Sequence, residues 1–389
     1  MTNLRLTLVL AMAFVTTSSF AQSFDPLYRF IDNGKEGAYP SAGVIRDPSG
    51  NLYGVTVFGG SVGGGVVFRL DVHGTETVLH NFVGPDGSQP AAPLVRDSQG
   101  NLYGTTTQGG TKNLGVVFKL DRAGKETVLY NFTGGKDGDY PSAGVIRDSS
   151  GNLYGTTLQG GTQDNGTVYK LEPSGKETVL YRFRGGSDGS GPAGELVRDS
   201  AGNLFGFTAR GGHANGTVFK IDASGRETVL YRFRGGADGS TPAGSPALDS
   251  DGNLYGVTSY GGDTDCASFH STGCGTAFKL TSAGTHSVLH VFEDYPFGDG
   301  AVPLAGVVRD SAGNLYGTTS IGGIVAVGSI FKIDASGAET LLYSFANTFT
   351  DGGYPDTGLF LDAKGNLYGT TPLDGDNYQP FGTVYEVTP

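Results

Sequence analysis

The chain has 389 residues, of which 67 are glycine, 17 are proline and none is tryptophan, and its formal net charge at pH 7 is −12. This glycine content is typical of collagen or of disordered segments, but no Gly-X-Y period is present, and 19 tyrosines and 23 phenylalanines predict a packed core. The acidic balance argues against nucleic acid and anionic membranes as partners.

Residues 1–21 have the organisation of a secretory signal peptide. A cationic start precedes an apolar run over residues 6–15, and residues 19–21 form a small-x-small cleavage site. The run is too short to span a membrane, and no other segment approaches 18 apolar residues. We expect cleavage after Ala21 and a secreted or periplasmic monomer without a membrane span. The C-terminus shows no hydrophobic tail that would indicate an anchor.

One motif, Gly-Asn-Leu-aromatic-Gly, is repeated seven times at intervals of about 50 residues. The copies begin at Gly50, Gly100, Gly151, Gly202, Gly252, Gly313 and Gly365. Each copy contains four short β-branched and aromatic runs, which in the third are AGVIRD, NLYGTT, GTVYKL and ETVLYRF. Because no helical period separates them, the pattern predicts an all-β, seven-bladed β-propeller with four strands in each blade.

An aspartate stands three residues before the motif glycine in every copy. These residues are Asp47, Asp97, Asp148, Asp199, Asp249, Asp310 and Asp362. Asp-x-x-Gly suits a type I turn in which the carboxylate caps the backbone and glycine takes the left-handed position. We interpret the aspartates as turn caps rather than as a catalytic or metal-binding ring.

The two ends of the mature chain together supply the strands of one complete blade. Ser23–Phe30 reads as a fourth strand with no preceding three, and Gly382–Val387 reads as a third strand with no fourth. Pairing these segments would close the ring without an open strand edge. We therefore expect residues 22–389 to form a single domain.

The succession Asp-x-x-Gly-Asn-Leu-Tyr-Gly-Thr-Thr, Gly-Gly, Gly-Thr-Val-Phe-Lys-Leu and Glu-Thr-Val-Leu-Tyr resembles the bacterial GloVer-type tandem repeat of choice-of-anchor surface and secreted proteins. The resemblance covers about residues 24–388. It implies an extracellular or surface location. It implies no established activity and transfers no catalytic residues. The chain differs from the anchored relatives because no recognisable anchor is present.

The connections between blades, here called the crossings, share an acid-Gly-x-x-Pro signature. Their acids are Glu36, Asp86, Asp137, Asp188, Asp238, Asp299 and Asp351. We interpret them as turn residues, with a carboxylate ring that holds a cation or a sugar as the alternative. Four other crossings carry a tyrosine, and two carry an arginine, Arg184 or Arg234. Such residues would suit a carbohydrate or peptide surface, and packing of the loops is the alternative role for the tyrosines. The tyrosines are Tyr39, Tyr140, Tyr295 and Tyr354.

Sequence variation is concentrated on one face, which carries the crossings and the loops between second and third strands. We call it the loop face. Its candidate ligand-binding residues are His213, Asp263, His270, Tyr378, Arg184 and Arg234. The longest loop contains Cys266 and Cys274, the only cysteines, which in an exported protein predict a disulfide rather than a zinc site.

Three classes of function remain open from the sequence. The leading hypothesis is an exported, non-enzymatic module that presents the loop face to a glycan, peptide or protein. The alternative is a secreted polysaccharide hydrolase or lyase at the channel mouth, with acids such as Asp164, Asp263 or Asp265. The third is a structural surface-layer component. We expect no cofactor and no metal, and the sequence assigns no catalytic residue.

Overall fold

The computed structural model describes residues 23–31, 34–262, 266, 272–293, 298–348, 350–373 and 381–389. Within them, seven antiparallel four-stranded sheets form the blades of a β-propeller, as the repeats predict. From the innermost strand outward, blades 1 to 7 contain Ile45–Arg46, Leu52–Thr56, Val66–Leu70 and Glu76–Asn81; Val95–Arg96, Leu102–Thr106, Val116–Leu120 and Glu126–Asn131; Ile146–Arg147, Leu153–Thr157, Thr167–Leu171 and Glu177–Arg182; Ser190–Arg198, Leu204–Arg210, Thr217–Ile221 and Glu227–Arg232; Ser240–Leu248, Leu254–Tyr260, Thr276–Leu280 and His286–Val291; Val308–Arg309, Leu315–Thr319, Ser329–Ile333 and Glu339–Ser344; Phe360–Leu361, Leu367–Thr371, Thr383–Thr388 and Ser23–Arg29.

Two small elements lie outside the blades. Gly37–Ala38 pairs with Phe58–Gly59 in a two-stranded sheet, and Gly236–Asp238 forms a 3₁₀ turn. Among the residues that the structure describes, no helix is long and apolar enough to cross a membrane.

The ring closes through the two ends of the chain. Ser23–Arg29 pairs antiparallel with Thr383–Thr388, from Ser23 opposite Thr388 to Arg29 opposite Thr383. Blade 7 thus takes its outer strand from the start of the chain and its other three from the end. The prediction of closure by the terminal strands is confirmed.

Edge-to-face aromatic contacts connect neighbouring blades. A phenylalanine that follows or ends each fourth strand packs against the central aromatic residue of the next blade's third strand, with ring centroids 4.9–5.4 Å apart. The pairs are Phe30–Phe68, Phe82–Phe118, Phe132–Tyr169, Phe183–Phe219, Phe233–Phe278, Phe292–Phe331 and Phe345–Tyr385. The second motif glycine is required beneath these rings, because a Cβ on Gly104 would lie 2.7 Å from Phe118.

The turns follow the predicted chemistry. One carboxylate oxygen of Asp97 accepts the backbone N–H of Asn101 at 2.9 Å. The other accepts the Asn101 amide at 2.8 Å and the hydroxyl of Tyr103 at 3.0 Å. Gly100 takes the left-handed conformation, with φ +89°. The aspartate thus satisfies a turn and a buried hydroxyl, and the interpretation as a turn cap is confirmed.

The innermost strands differ in length from the six-residue runs expected from the sequence. In five blades the innermost strand has only two residues. The innermost strands of blades 4 and 5, Ser190–Arg198 and Ser240–Leu248, have nine residues each. Both longer strands contain an irregularity, and in blade 4 it lies between Ala193 and Val197. In the other five blades the innermost strand is short because the residues before it do not pair with the second strand. They line the centre of the ring instead.

Candidate functional site

The centre of the ring contains a cavity of about 600 Å³. All seven blades contribute to its wall, through the residues that lead from each crossing proline into the innermost strand. Leu158, Ala209 and Ser259, which follow or lie near the ends of second strands, complete the wall. These segments adjoin the loop face, so the cavity lies at the loop-face end of the channel. The lining is mostly alanine, glycine, proline and aliphatic side chains.

Among the described residues of this wall, Glu195 is one of two ionisable side chains. It lies within the bulge between Ala193 and Val197, where extra residues on one strand redirect side chains. Its backbone N–H donates to Ser245 Oγ of blade 5 at 3.0 Å. Burial against the channel wall raises the pKa of the Glu195 carboxyl to about 7. Glu195 is therefore a carboxyl group that exchanges its proton near neutral pH.

Asp356 is the second ionisable side chain of the wall. One carboxylate oxygen accepts the hydroxyl of Ser41 at 3.0 Å, while the other, Oδ1, is shielded from solvent and has no hydrogen-bond partner. Burial raises the pKa of Asp356 to about 6, and the Ser41 hydroxyl opposes part of this rise. Burial, and then the charge of Asp356, also raises the pKa of Tyr39. Asp356 thus contributes a second acidic side chain to the wall, one whose Oδ1 is buried without a hydrogen-bond donor.

Tyrosines at the crossings hold an unusual backbone conformation beside the cavity. Tyr39, Tyr140 and Tyr354 have φ of 62°, 57° and 57° and each precedes a proline, a combination that bulky residues rarely adopt. The N–H of Tyr140 donates to Leu114 O at 3.2 Å, and that of Tyr354 donates to Val327 O at 2.7 Å. The loops of the preceding blades therefore fix the tyrosine backbones.

The two channel acids were not identified from the sequence, although a signal was present. Glu195 occupies a position held elsewhere by Gly43, Pro93, Gly144, Ser245, Gly306 and Gly358. Asp356 occupies a position held elsewhere by Ser41, Ala91, Ser142, Ala193, Ala243 and Leu304. Each acid is the single charged member of its set of seven. A comparison of what differs among the copies would have found both.

The seven crossing acids have a structural role, as the turn interpretation predicted. Asp137 is representative: it accepts the hydroxyl of Tyr130 at 3.0 Å and the backbone N–H of Thr133 at 2.9 Å. The corresponding side-chain donors are Tyr28, His80, Tyr181, Tyr231, His290 and Tyr343. The acids close their loops onto the outer strands and do not line the central cavity.

The predicted arginines lie on exposed crossings. The backbone N–H of Arg184 donates to Asp188 at 3.0 Å. The guanidinium of Arg234 donates to Asp238 at 3.1 Å and to the Tyr231 hydroxyl at 3.4 Å. Arg234 is thus paired within its own crossing.

His213 is exposed and lines a separate groove of about 750 Å³ at blade 4. Neither His213 nor the two arginines of the crossings borders the central cavity. The structure therefore places these predicted residues on the loop face but does not bring them together at the channel.

Asp263, His270 and Tyr378 lie outside the described residues, as do Asp265 and Tyr295. Asp164, a candidate acid for the hydrolase alternative, has φ +57° and accepts the backbone N–H of Gly160 at 2.7 Å. It caps its loop.

Cys266 and Cys274 form the predicted disulfide, with Cα atoms 5.5 Å apart. Within the described part of the chain, no three His, Cys, Asp or Glu side chains are grouped so that they could hold a metal ion.

Two solved structures are similar to this chain in fold. The extracellular domain of a proposed hybrid two-component system from B. thetaiotaomicron has a TM-score of 0.57 and 12% identity, covering 94% of this chain and 39% of that longer one. A proposed 6-phosphogluconolactonase from Bacteroides uniformis has a TM-score of 0.50 and 16% identity, covering 78% of this chain and 83% of its own. At these identities the similarity shows the fold alone.

No curated protein matches the sequence significantly. The model of the Gloeobacter/Verrucomicrobia repeat matches residues 39–269 and 266–389. Because the two matches together cover nearly the whole propeller, the chain belongs to the Gloeobacter/Verrucomicrobia repeat family.

Proposed function

We propose that this protein is an exported, non-enzymatic binding module that takes a glycan at the loop-face end of its central channel. The observation that carries the proposal is the composition of the cavity wall, in which Glu195 and Asp356 are the only ionisable side chains among the residues that the structure describes. A small-residue wall leaves room for a ligand, and carboxylates accept hydrogen bonds from sugar hydroxyls. Glu195 and Asp356 are the wall residues that would provide such carboxylates.

The wall also selects among ligands. Because no lysine or arginine lines the cavity, an anionic group entering it would meet two acids and no cation, so the ligand portion that enters is neutral or cationic. The cavity of about 600 Å³ has the size of a small-molecule site, which accommodates a sugar unit rather than a protein surface. Peptides and proteins remain ligands for the wider loop face.

The expected location and the variable loops complete the proposal. Cleavage after Ala21 would release a mature protein to the periplasm or medium, where glycans are available. On this view, His213, Asp263, His270 and Tyr378 contact parts of the ligand beyond the channel. Their combined replacement by alanine is expected to weaken binding with little loss of stability.

A direct test replaces each channel acid by a residue that another blade carries at the same position. Glu195→Gly follows Gly144, and Asp356→Ser follows Ser41, so both changes suit the local backbone. We expect the wild-type protein to bind members of a glycan array, and the double variant to lose at least about tenfold in affinity by calorimetry. Asp251→Asn, an exposed turn residue away from the channel, is the matched control. An array without ligands, or ligands retained by the double variant, would contradict the proposal.

The same acids support a second candidate, a polysaccharide hydrolase or lyase. The pKa values of about 7 and about 6 place both carboxyls where a general acid or base works at neutral pH. Assays for new reducing ends and for the ultraviolet absorbance of unsaturated sugars distinguish turnover from binding. Products formed by the wild-type protein and not by Glu195→Gly/Asp356→Ser would replace the binding proposal. Self-association without either property would favour a structural surface-layer role.

A further inference from the structure

A second site candidate lies at blade 4, in the groove that His213 borders. Arg210, Arg232 and His213 line this groove together with small residues of the crossing and of the loop, and no acid is found among the described residues of its lining. All three basic side chains are exposed. In a chain with a formal net charge of −12, a groove lined only by basic and small residues is a local reversal of charge.

The two arginines are free to bind a ligand. Arg232 Nε donates to Ser187 O at 2.9 Å, which fixes the guanidinium while its terminal nitrogens have no hydrogen-bond acceptor among the described residues. Within the same part of the chain, no carboxylate lies within ion-pair distance of Arg210 or Arg232. Glu227, on the strand of Arg232, interacts with the charge of this arginine, and burial raises the pKa of Glu227 to about 7, which leaves it partly protonated at neutral pH.

Blades 1 and 2 carry a different residue at the position of Arg232. In blades 1 and 2 it is an asparagine, whose Oδ1 accepts the N–H of the loop residue after Gly-Gly: Asn81 accepts from Ser61 at 3.0 Å, and Asn131 from Thr111 at 2.9 Å. In blade 4 this loop residue is His213, whose N–H donates only to Gly211 O, two residues earlier. In blade 4 the guanidinium of Arg232 thus replaces the side-chain oxygen of the asparagine. The N–H of the loop residue has no side-chain acceptor there among the described residues.

Arg210 makes blade 4 different from blades 3 and 7, which also have an arginine, Arg182 and Arg29, at the position of Arg232. At the position of Arg210 the remaining copies carry Phe58, Gln108, Gln159, Tyr260, Ile321 and Leu373. Blade 4 alone therefore combines two arginines. Two guanidinium groups on one groove are the arrangement that binds an oxyanion through charge-assisted hydrogen bonds.

We propose that the groove formed by Arg210, Arg232 and His213 binds an anionic group, a carboxylate or a sulfate, of an acidic polysaccharide. The inference rests on the proposed function only in assigning the anion to a glycan. The oxyanion takes the place of the side-chain oxygen that blades 1 and 2 provide. A polysaccharide that places a neutral unit in the channel would carry its acidic unit on the loop face outside the channel.

The test uses trigalacturonate and its methyl ester, in which each carboxylate loses its charge and gains a methyl group. We expect wild-type protein to bind trigalacturonate, to bind the ester at least about tenfold more weakly, and to lose affinity for trigalacturonate as salt is raised. Arg210→Gln/Arg232→Asn, which installs residues found in other blades, is expected to remove this discrimination without lowering the melting temperature. Arg182→Asn in blade 3 is the matched control and should bind as the wild type does.

Inorganic sulfate is the second probe. Competition by sulfate at the same arginines supports an oxyanion site of either chemistry, and failure to compete limits the site to carboxylates. Equal binding of acid and ester, or equal loss in Arg182→Asn, overturns the inference. Because Glu195→Gly/Asp356→Ser leaves Arg210, Arg232 and His213 unchanged, anion binding that persists in that variant supports this site even where the channel proposal fails. A wild-type protein that binds neither trigalacturonate nor sulfate overturns the inference itself.

Discussion

Five glutamates at the start of fourth strands should make the ring more stable in mild acid than at neutral pH. They are Glu76, Glu126, Glu177, Glu227 and Glu339. In each, the Oε1 atom is shielded from solvent and has no hydrogen-bond partner. Burial, and then the charge of the neighbouring crossing acid, raises each pKa to about 7. For Glu126 that neighbour is Asp86.

The direction of the pH dependence follows from the raised pKa values. Between the ordinary pKa of 4.5 and about 7, the folded chain binds more protons than the unfolded chain, so the free energy of unfolding falls as pH rises through this window. Above about 7 the loss is complete. The turn aspartates act in the opposite sense, because hydrogen bonds lower the pKa of Asp97 below 3.8 despite its burial, and their contribution is lost only as pH falls below that value. Stability should therefore be greatest near pH 4–5.

Glu126→Gln isolates one of the five groups. A carboxyl whose pKa rises from 4.5 to about 7 loses about 3.4 kcal/mol when it ionises within the fold, at 1.36 kcal/mol per pH unit. Screening by solvent at this half-buried position reduces the effect to about 1–2 kcal/mol. The glutamine keeps the shape and removes the charge beside Asp86. We expect the variant to be more stable than wild type by this amount at pH 8 and equally stable at pH 4.5.

The assay is urea unfolding at the two pH values, with Glu293→Gln as the control because Glu293 is an exposed glutamate outside this set. A gain confined to pH 8 and to Glu126→Gln would support the reasoning. Equal stability of variant and wild type at pH 8 would refute it, as would the same gain in Glu293→Gln.

Three further predictions concern the turns and the two ends of the chain. Asp97→Ala should lower the free energy of unfolding by about 1–3 kcal/mol, because the Asn101 amide and the buried hydroxyl of Tyr103 lose their acceptor. Glycan binding should be unchanged, and a loss of binding at full stability would contradict the structural role of Asp97. Removal of Ser23–Arg29 should expose the edge of Thr383–Thr388, lowering the melting temperature and causing association, and a monomer with an unchanged melting temperature would show that closure adds nothing. N-terminal sequencing of the exported protein should begin at Gln22, and exported material that retains residues 1–21 would rule out the signal peptide.

Repetition made the scaffold predictable. The spacing of the motif indicated the number of blades, and Asp-x-x-Gly indicated turns that Asp97 and Gly100 then formed as expected. The incomplete blades at the two ends indicated closure, which the pairing of Ser23 with Thr388 confirmed. In each case a short stretch of sequence is enough to predict the turn or the strand that it forms.

The side-chain partners were less predictable because they depend on how one blade meets the next. The pairing of Asp137 with Tyr130 joins residues seven positions apart across a crossing whose course the sequence does not define. The burial of Glu126 depends on the packing of blade 2 against the preceding crossing. The channel acids depend on the closed ring, since Glu195 becomes a wall residue only when all seven blades surround it.

The same repetition separates residues needed for folding from residues that folding does not explain. Glycine is required at position 43 because a Cβ there would lie 2.6 Å from the carbonyl oxygen of Gly358 in the neighbouring blade. Blade 4 carries Glu195 at the corresponding position, within a bulge, and burial raises the pKa of its carboxyl to about 7, so that ionisation of this group costs stability. Asp356 likewise buries an oxygen without a partner, although Ser41 and Ser142 show that a small neutral residue suits the position. The ligand that we propose for the channel would account for two acids that each disfavour the folded state in a wall that five other blades build without charge.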